Sequence, residues 1–295
     1  MNLTQLNDAV GEFLEARPAV EQGIETGVRD LWVHTYAECA TIDAAIYTPI
    51  ISLTLQGQKE VRWGAHSEVF CPGDSFVVSH DLPVQSRVVR ASQQEPFRAL
   101  ALNLDVPLLR DLHHELDRPL PIDDDANVIE SSVADDELVA AFGRYFMLNS
   151  DESAMRLMGP IIRREIHARL LLAPNARMLR RLLDQESQAA QIAKAIVHIR
   201  QNLSTKLSVD RLSRLSGMSL RSFHAHFKSI TDTTPLQYQK ELRLIEARRL
   251  MQAEGKAVGT AAFEVGYESP TQFSREFARR FGQPPSRDTA QSASL

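Results

Sequence analysis

The chain has 295 residues, enough for two domains that each bury a core, and it carries a net charge of −5. That charge is split: residues 177–295 hold 19 Lys+Arg against 11 Asp+Glu, and the preceding part holds 14 against 27. No apolar run approaches the ~20 residues that cross a bilayer, no export signal opens the chain, and Cys39 and Cys71 alone make no disulfide framework, so a reduced cytoplasm and no membrane are expected. A basic end on an acidic body fits nucleic-acid contact confined to that end.

Leu6, Val10, Phe13 and Leu14 recur at helical spacing near the start, an arm or an accessory helix. From Ala45 to Leu104 the period becomes two. Ile51, Leu53 and Leu55 alternate with Ser52, Thr54 and Gln56, which predicts a half-buried strand ending at Gly57. Cys71-Pro72-Gly73-Asp74 is a turn before the strand from Ser75 to Val78, and Val84, Ser86, Val88 and Leu100, Leu102, Leu104 complete the series. Short strands cut by Gly and Pro predict a small antiparallel barrel or jelly roll.

Helices follow. Asp105 caps one that turns Leu108, Leu109, Leu112 and Leu116 inward, with Pro107 in its first turn. After an acidic loop, Asp123-Asp124-Asp125, a second carries Leu138, Phe142, Tyr145 and Phe146. A third carries Leu157, Ile161, Ile162, Ile166 and Leu170. Residues 176–190 read as a linker, and Ile192, Ile196 and Ile199 begin the C-terminal domain.

Between Leu207 and Pro285 one pattern occurs twice. Ser208 and Ser219 stand where helix N-caps are needed, Gly217 lies at the turn between them, and Val209, Leu212 and Leu215 make one stripe, Phe223 and Phe227 another. Gly266, Ser269, Phe273 and Phe277 repeat the turn, the cap and the aromatic pair. Pro235 opens a helix joining the two copies, with Tyr238, Leu242, Ile245 and Arg249 at helical spacing. Two short helices bent at a Gly-containing turn are a helix-turn-helix, whose second helix enters the major groove.

These residues resemble the DNA-binding domain of the AraC/XylS family of bacterial transcription regulators. The matching stretches are Arg243–Arg248, Val265–Phe277 and Arg280–Pro285, and Asp232 stands where the family usually has Gly. The Pro72-Gly73-Asp74 turn resembles the family's cupin-like N-terminal domains. The fold expected is therefore α+β: a cupin-like antiparallel β-barrel with flanking helices over 1–175, a linker over 176–190, an all-α double helix-turn-helix domain over 191–288, and a disordered tail over 289–295. The resemblance implies a transcription regulator, activator or repressor, with double-stranded DNA, RNA polymerase and a second copy of itself as partners, the helices over 105–172 either forming the dimer contact or only covering their own barrel. It also implies a small-molecule effector and neither cofactor nor catalysis.

The expected base-contacting residues are Arg221, His224 and Ala225 in the first unit and Thr271, Gln272 and Arg275 in the second. Lys228, Arg279 and Arg280 are expected on phosphates. Tyr47, Ile51, Leu53, Phe76 and Val78 are the candidate effector pocket inside the barrel. Three rivals fare worse. A metal-dependent cupin enzyme needs a His-x-His pair in the strands, where only His66 and His80 occur; His224-Ala225-His226 lies on a recognition helix. A thiol sensor at Cys71 lacks a neighbouring positive charge, which favours a buried structural cysteine. A DNA-packaging protein explains the basic end but neither the capped repeat nor the acidic domain.

Overall fold

The computed structural model describes residues 1–17, 22–116, 128–184 and 187–292; the acidic loop at Asp123–Asp125 lies outside these. The chain forms two compact units, residues 1–42 with 47–190 and residues 191–295 with 43–46. In the first unit the elements run α1 (Leu3–Glu15), β1 (Gln22–Glu25), β2 (Leu31–Tyr36), β3 (Thr41–Tyr47), β4 (Ile50–Gln56), β5 (Gln58–Trp63), β6 (His66–Phe70), β7 (Asp74–Val78), β8 (Leu82–Arg90), β9 (Phe97–Asn103), α2 (Val106–His114), β10 (Ile129–Val133), α3 (Asp136–Phe146), α4 (Glu152–Leu172) and α5 (Arg177–Leu183). The second holds α6 (Gln188–Gln201), α7 (Val209–Leu215), α8 (Leu220–Thr231), α9 (Pro235–Ala253), α10 (Val258–Glu264), α11 (Pro270–Phe281) and α12 (Pro285–Ser292).

The expected barrel is not closed. The strands form a six-stranded sheet, β1-β2-β9-β4-β7-β10, and a four-stranded sheet, β3-β8-β5-β6, with no ladder joining them among the described residues. One face of the larger sheet packs on helices: Ile51, Leu53, Val77, Leu100 and Leu102 share a core with Leu6 and Val10 of α1, Phe142 of α3 and Ile166 of α4. Its other face meets the smaller sheet, where Val88 packs with Tyr36, Phe97 and Ala99, and Phe70 lies 4.3 Å from Phe76 between ring centres. This double cover corrects the half-buried reading of β4: Ser52 and Thr54 are as buried as their apolar neighbours because both faces are layered.

α1 is an integral part of this core, held at its start by a reciprocal cap between Asn2 and Gln5. Asp105 and Asp135 cap α2 and α3 as acceptors from Leu108 and Leu138 N–H groups. On α4 the inward stripe is Ile162, Ile166 and Leu170; Leu157 and Ile161, expected inward, are 74% and 60% exposed. The inner face of α4 is instead completed by two polar side chains. Arg163 pairs with Asp30 at 2.6 Å and Asp105 at 3.0 Å, and buried His167 takes the Asp105 N–H at 2.9 Å.

Two boundary expectations change. The expected linker is largely helical: Leu179 and Leu183 of α5 join the first unit's core, and Arg177 pairs with buried Glu130 of β10. The expected disordered tail begins inside α12, anchored by Asp288, whose buried carboxylate receives two bonds of 2.8 Å from Arg248; residues 293–295 lie outside the described residues.

Candidate nucleic-acid interface

The second unit is built twice over around its aromatic residues. Phe223 and Phe227 on α8, and Phe273 and Phe277 on α11, are fully buried, with ring centres 5.6 Å and 5.4 Å apart within each pair. Tyr238 of α9 meets Phe227 edge-on, and Tyr267 meets Phe273 likewise. Burying one face of each short helix commits the other to solvent. The serines do what their positions predict: Ser208, Ser219 and Ser269 accept from the N–H groups of Arg211, Ser222 and Gln272. The two turns are built alike, with Met218 N–H on Ser213 O and Tyr267 N–H on Ala262 O, both at 2.9 Å. Asp232 closes α8 at φ +57°, the left-handed position that Gly282 fills after α11, so the departure from glycine is accommodated. One stripe differs from expectation: α7 turns Leu212, Ser213 and Ser216 inward and leaves Leu215 exposed, since Ser216 bonds to Gln191 O of α6.

Arg221, His224, Ala225 and Lys228 all lie on the exposed face of α8, and Thr271, Gln272, Arg275 and Arg279 on that of α11. Among the described residues, Arg221, Lys228, Arg275 and Arg279 have no carboxylate partner, so their charges are available to a polyanion. Arg280 departs from its expected role. It pairs with Glu241 of α9 and leans on Phe281, which removes it from the free phosphate ligands. Gln272 is also tethered, donating at 3.4 Å to Glu276. Burial pushes the Glu276 carboxyl up, but Lys240, Tyr267 and Gln272 together outweigh it and hold it below its usual range.

α9 spans about 28 Å at ~1.5 Å per residue, and both halves are clamped to it. Arg243 donates to Leu203 O and Thr205 O at 2.8 Å and to Gly266 O at 3.0 Å, tying the loop before the first helix-turn-helix to the turn of the second. Gln239 adds two bonds to the same loop. That loop borders a cleft of about 190 Å3 lined by His198, Asn202, Lys206 and Arg211 among others. Lys206 in the loop and Arg211 in the first turn of α7 are exposed cations that pattern reading passes over, because neither belongs to an apolar stripe.

The candidate effector residues do not share one wall. Ile51 pairs with Val77 on the helix-covered face and Leu53 lies on that same face, whereas Phe76 pairs with Ser52 on the face toward the second sheet. There Phe76 stacks on Tyr47 at 6.2 Å, and Val78, opposite Ile50, shares that face. The period-two signal marks both sets as buried but does not tell which layer covers each. Cys71 is part-buried and accepts from Gln58 at 3.5 Å, Cys39 is exposed, and no described cluster of three His, Cys, Asp or Glu residues could hold a metal. No described helix is long and apolar enough to cross a membrane.

Comparison with known proteins agrees with this architecture. Residues 27–178 match the family described as AraC-type transcriptional regulator N-terminus, and residues 212–291 match a helix-turn-helix domain family. The HTH-type transcriptional activator RhaS of Escherichia fergusonii is 30% identical over 134 residues, 45% of this chain and 48% of that protein. The MmsAB operon regulatory protein of Pseudomonas aeruginosa is 30% identical over 89 residues, 30% of this chain and 29% of that one. The matches thus span about half or less of those relatives. A crystal structure of unsaturated fatty acid bound ToxT from Vibrio cholerae has the same fold, with a TM-score of 0.61 at 10% identity over 90% of this chain and 97% of that one. The N-terminal match alone covers more than half of the residues, and the twin helix-turn-helix follows it: the chain belongs to the AraC-type transcriptional regulators, the AraC/XylS family.

Proposed function

We propose that the two recognition helices α8 and α11 of one protomer read successive major-groove faces of a duplex, one helical turn apart. The observation that carries this is the pair of buried Phe-x-x-x-Phe faces, each opposing an exposed face with unpaired cations, on one clamped helix α9. Arg221, His224 and Ala225, with Thr271, Gln272 and Arg275, face base edges. Arg suits guanine and Gln adenine, each good bidentate pair giving ~1–3 kcal/mol of discrimination. Lys228 and Arg279 take phosphates, joined by Lys206 and Arg211. Selection of bound sequences from random DNA, followed by footprinting, tests this. The reading requires two protected segments about 10 base pairs apart on one side of the duplex; protection of one isolated segment, or of none, overturns it.

The first unit, in this reading, is the effector-binding and dimerisation domain. The ligand named for ToxT supports a small-molecule role for this fold, and the exposed stripe Leu157, Ile161 and Leu172 along α4 supports a homodimer through that helix. The named activators among the relatives support contact with RNA polymerase and work in the cytoplasm.

A further inference from the structure

A carboxylate stands beside the exposed face of α11, next to groups that should meet a polyanion. Glu276 accepts from Lys240 Nζ of α9 at 2.7 Å and from the Tyr267 hydroxyl at 2.9 Å, and only 16% of its side chain is exposed. Neither anchor belongs to α11: one comes from the joining helix and the other from the turn ahead. Glu276 is thereby held in place from outside the helix that carries it. One turn earlier stands Gln272, whose Nε2 donates to Glu276 Oε1 at 3.4 Å.

This contact decides how the Gln272 amide is turned. An ionised carboxylate accepts hydrogen bonds and donates none, so the amide must present its NH2 to Glu276 and carry its carbonyl oxygen away. Burial alone would favour the protonated acid, but Lys240, Tyr267 and Gln272 keep Glu276 ionised. With one N–H of Gln272 engaged, one N–H and the carbonyl oxygen remain for the groove. Adenine offers an acceptor, N7, beside a donor, N6–H2, and matches that pair. Guanine offers two acceptors, N7 and O6, and would need the N–H that Glu276 holds.

The first helix-turn-helix is not equipped for the same arrangement. Matching the Phe pairs and the turn bonds sets Met218, Ser222 and His226 against Tyr267, Gln272 and Glu276. Met218 has no hydroxyl, and Ser222 has no amide to orient.

We propose that Glu276 is a positioning residue for base recognition: it orients the Gln272 amide so that the second recognition helix takes adenine and rejects guanine at one base pair. The proposal rests on the reading of Gln272 as a base contact and adds the group that sets its choice.

Selection of bound duplexes by the full chain from a random pool, sequenced to give base ratios at every position, tests it. The parent prefers adenine to guanine at the position that Gln272→Ala flattens. Glu276→Ala lowers that ratio about fivefold, the effect of one modest hydrogen bond, and leaves the ratios elsewhere unchanged. A ratio is read because losing a negative charge strengthens contact with every duplex alike. Glu276→Gln can turn its own amide either way, so it also lowers the ratio and serves if Glu276→Ala misfolds. In a Gln272→Ala background neither substitution changes that position further. An unchanged ratio in the Glu276 variants, loss of preference at several positions together, or an effect that persists without Gln272 overturns the proposal. So does a parent without an adenine preference there. If Gln272→Ala alters no position, the base-contact reading itself fails and takes this proposal with it.

Discussion

Gly217 and Gly266 occupy equivalent turns, yet alanine should cost very different amounts at the two. Gly217 has φ +62° and open space where a Cβ would stand. An L-residue in this left-handed region costs ~1–2 kcal/mol, partly offset by ~0.4–1 kcal/mol from a stiffer unfolded chain, so Gly217→Ala destabilises by about 1 kcal/mol. Gly266 has φ +91°, and a Cβ there would lie 2.2 Å from Ser204 O and 2.7 Å from Ser204 C and Cα. These are backbone atoms, so the Leu203–Thr205 loop must retreat and draw its two carbonyls away from Arg243, which holds them. Adding the weakening of those charge-assisted bonds to the φ cost gives about 4 kcal/mol for Gly266→Ala. For a domain of this size, thermal unfolding followed by helical circular dichroism should place Gly217→Ala ~4–8 °C below the parent and Gly266→Ala at least ~15 °C below. Equal losses at the two sites would refute the close approach of the loop to the second turn.

Further expectations follow from the same geometry. Arg275→Ala relaxes preference at one base pair in a binding-site selection, whereas Lys228→Ala weakens all sequences evenly and reduces the salt slope by about one; an unchanged base preference for Arg275→Ala removes it from the reading face. Arg280→Ala leaves the salt slope alone, because its charge is spent on Glu241. His80 is buried, and desolvation lowers its pKa to about 4 from 6.5. The unfolded state then binds the proton first, so the stability His80 contributes is complete above pH 6.5 and declines by about 3 kcal/mol as the pH falls to 4. His80→Gln flattens that decline in a pH series of urea melts, and an identical slope in both proteins counts against it. Replacing Leu157 and Ile161 together by Glu yields monomers in sedimentation without a loss of melting temperature, as both are solvent-facing; an unchanged dimer places the contact elsewhere.

The second unit is legible in the sequence because its signals are local. A cap acts three residues away, a Gly turn acts on itself, and Phe223 with Phe227 meet one helical turn apart. The first unit shows its strands but not their layers. Ile51 and Phe76 look equivalent as alternating apolar positions, and only the pairing of Ile51 with Val77 and of Ser52 with Phe76 separates them. Long-range partners escape pattern reading altogether: Arg280 resembles any exposed basic residue until Glu241 is placed beside it, and Lys59 resembles any strand lysine until Tyr47 and Phe97 flank it. Helix α5 hides in a stretch whose polar residues look like tether, because Leu179 and Leu183 find their core across the fold rather than nearby.

The clamp that Arg243 and Gln239 make from α9 ties the loop ahead of the first helix-turn-helix to the turn of the second. A pair held in this way resists stretching or swivelling along a duplex. Five base pairs inserted between the halves of an operator would turn the second half to the far side of the duplex, about half a helical turn away. Ten would restore the facing but carry it beyond reach. If the two recognition helices read one duplex as proposed, an operator would be held to one phase and one length.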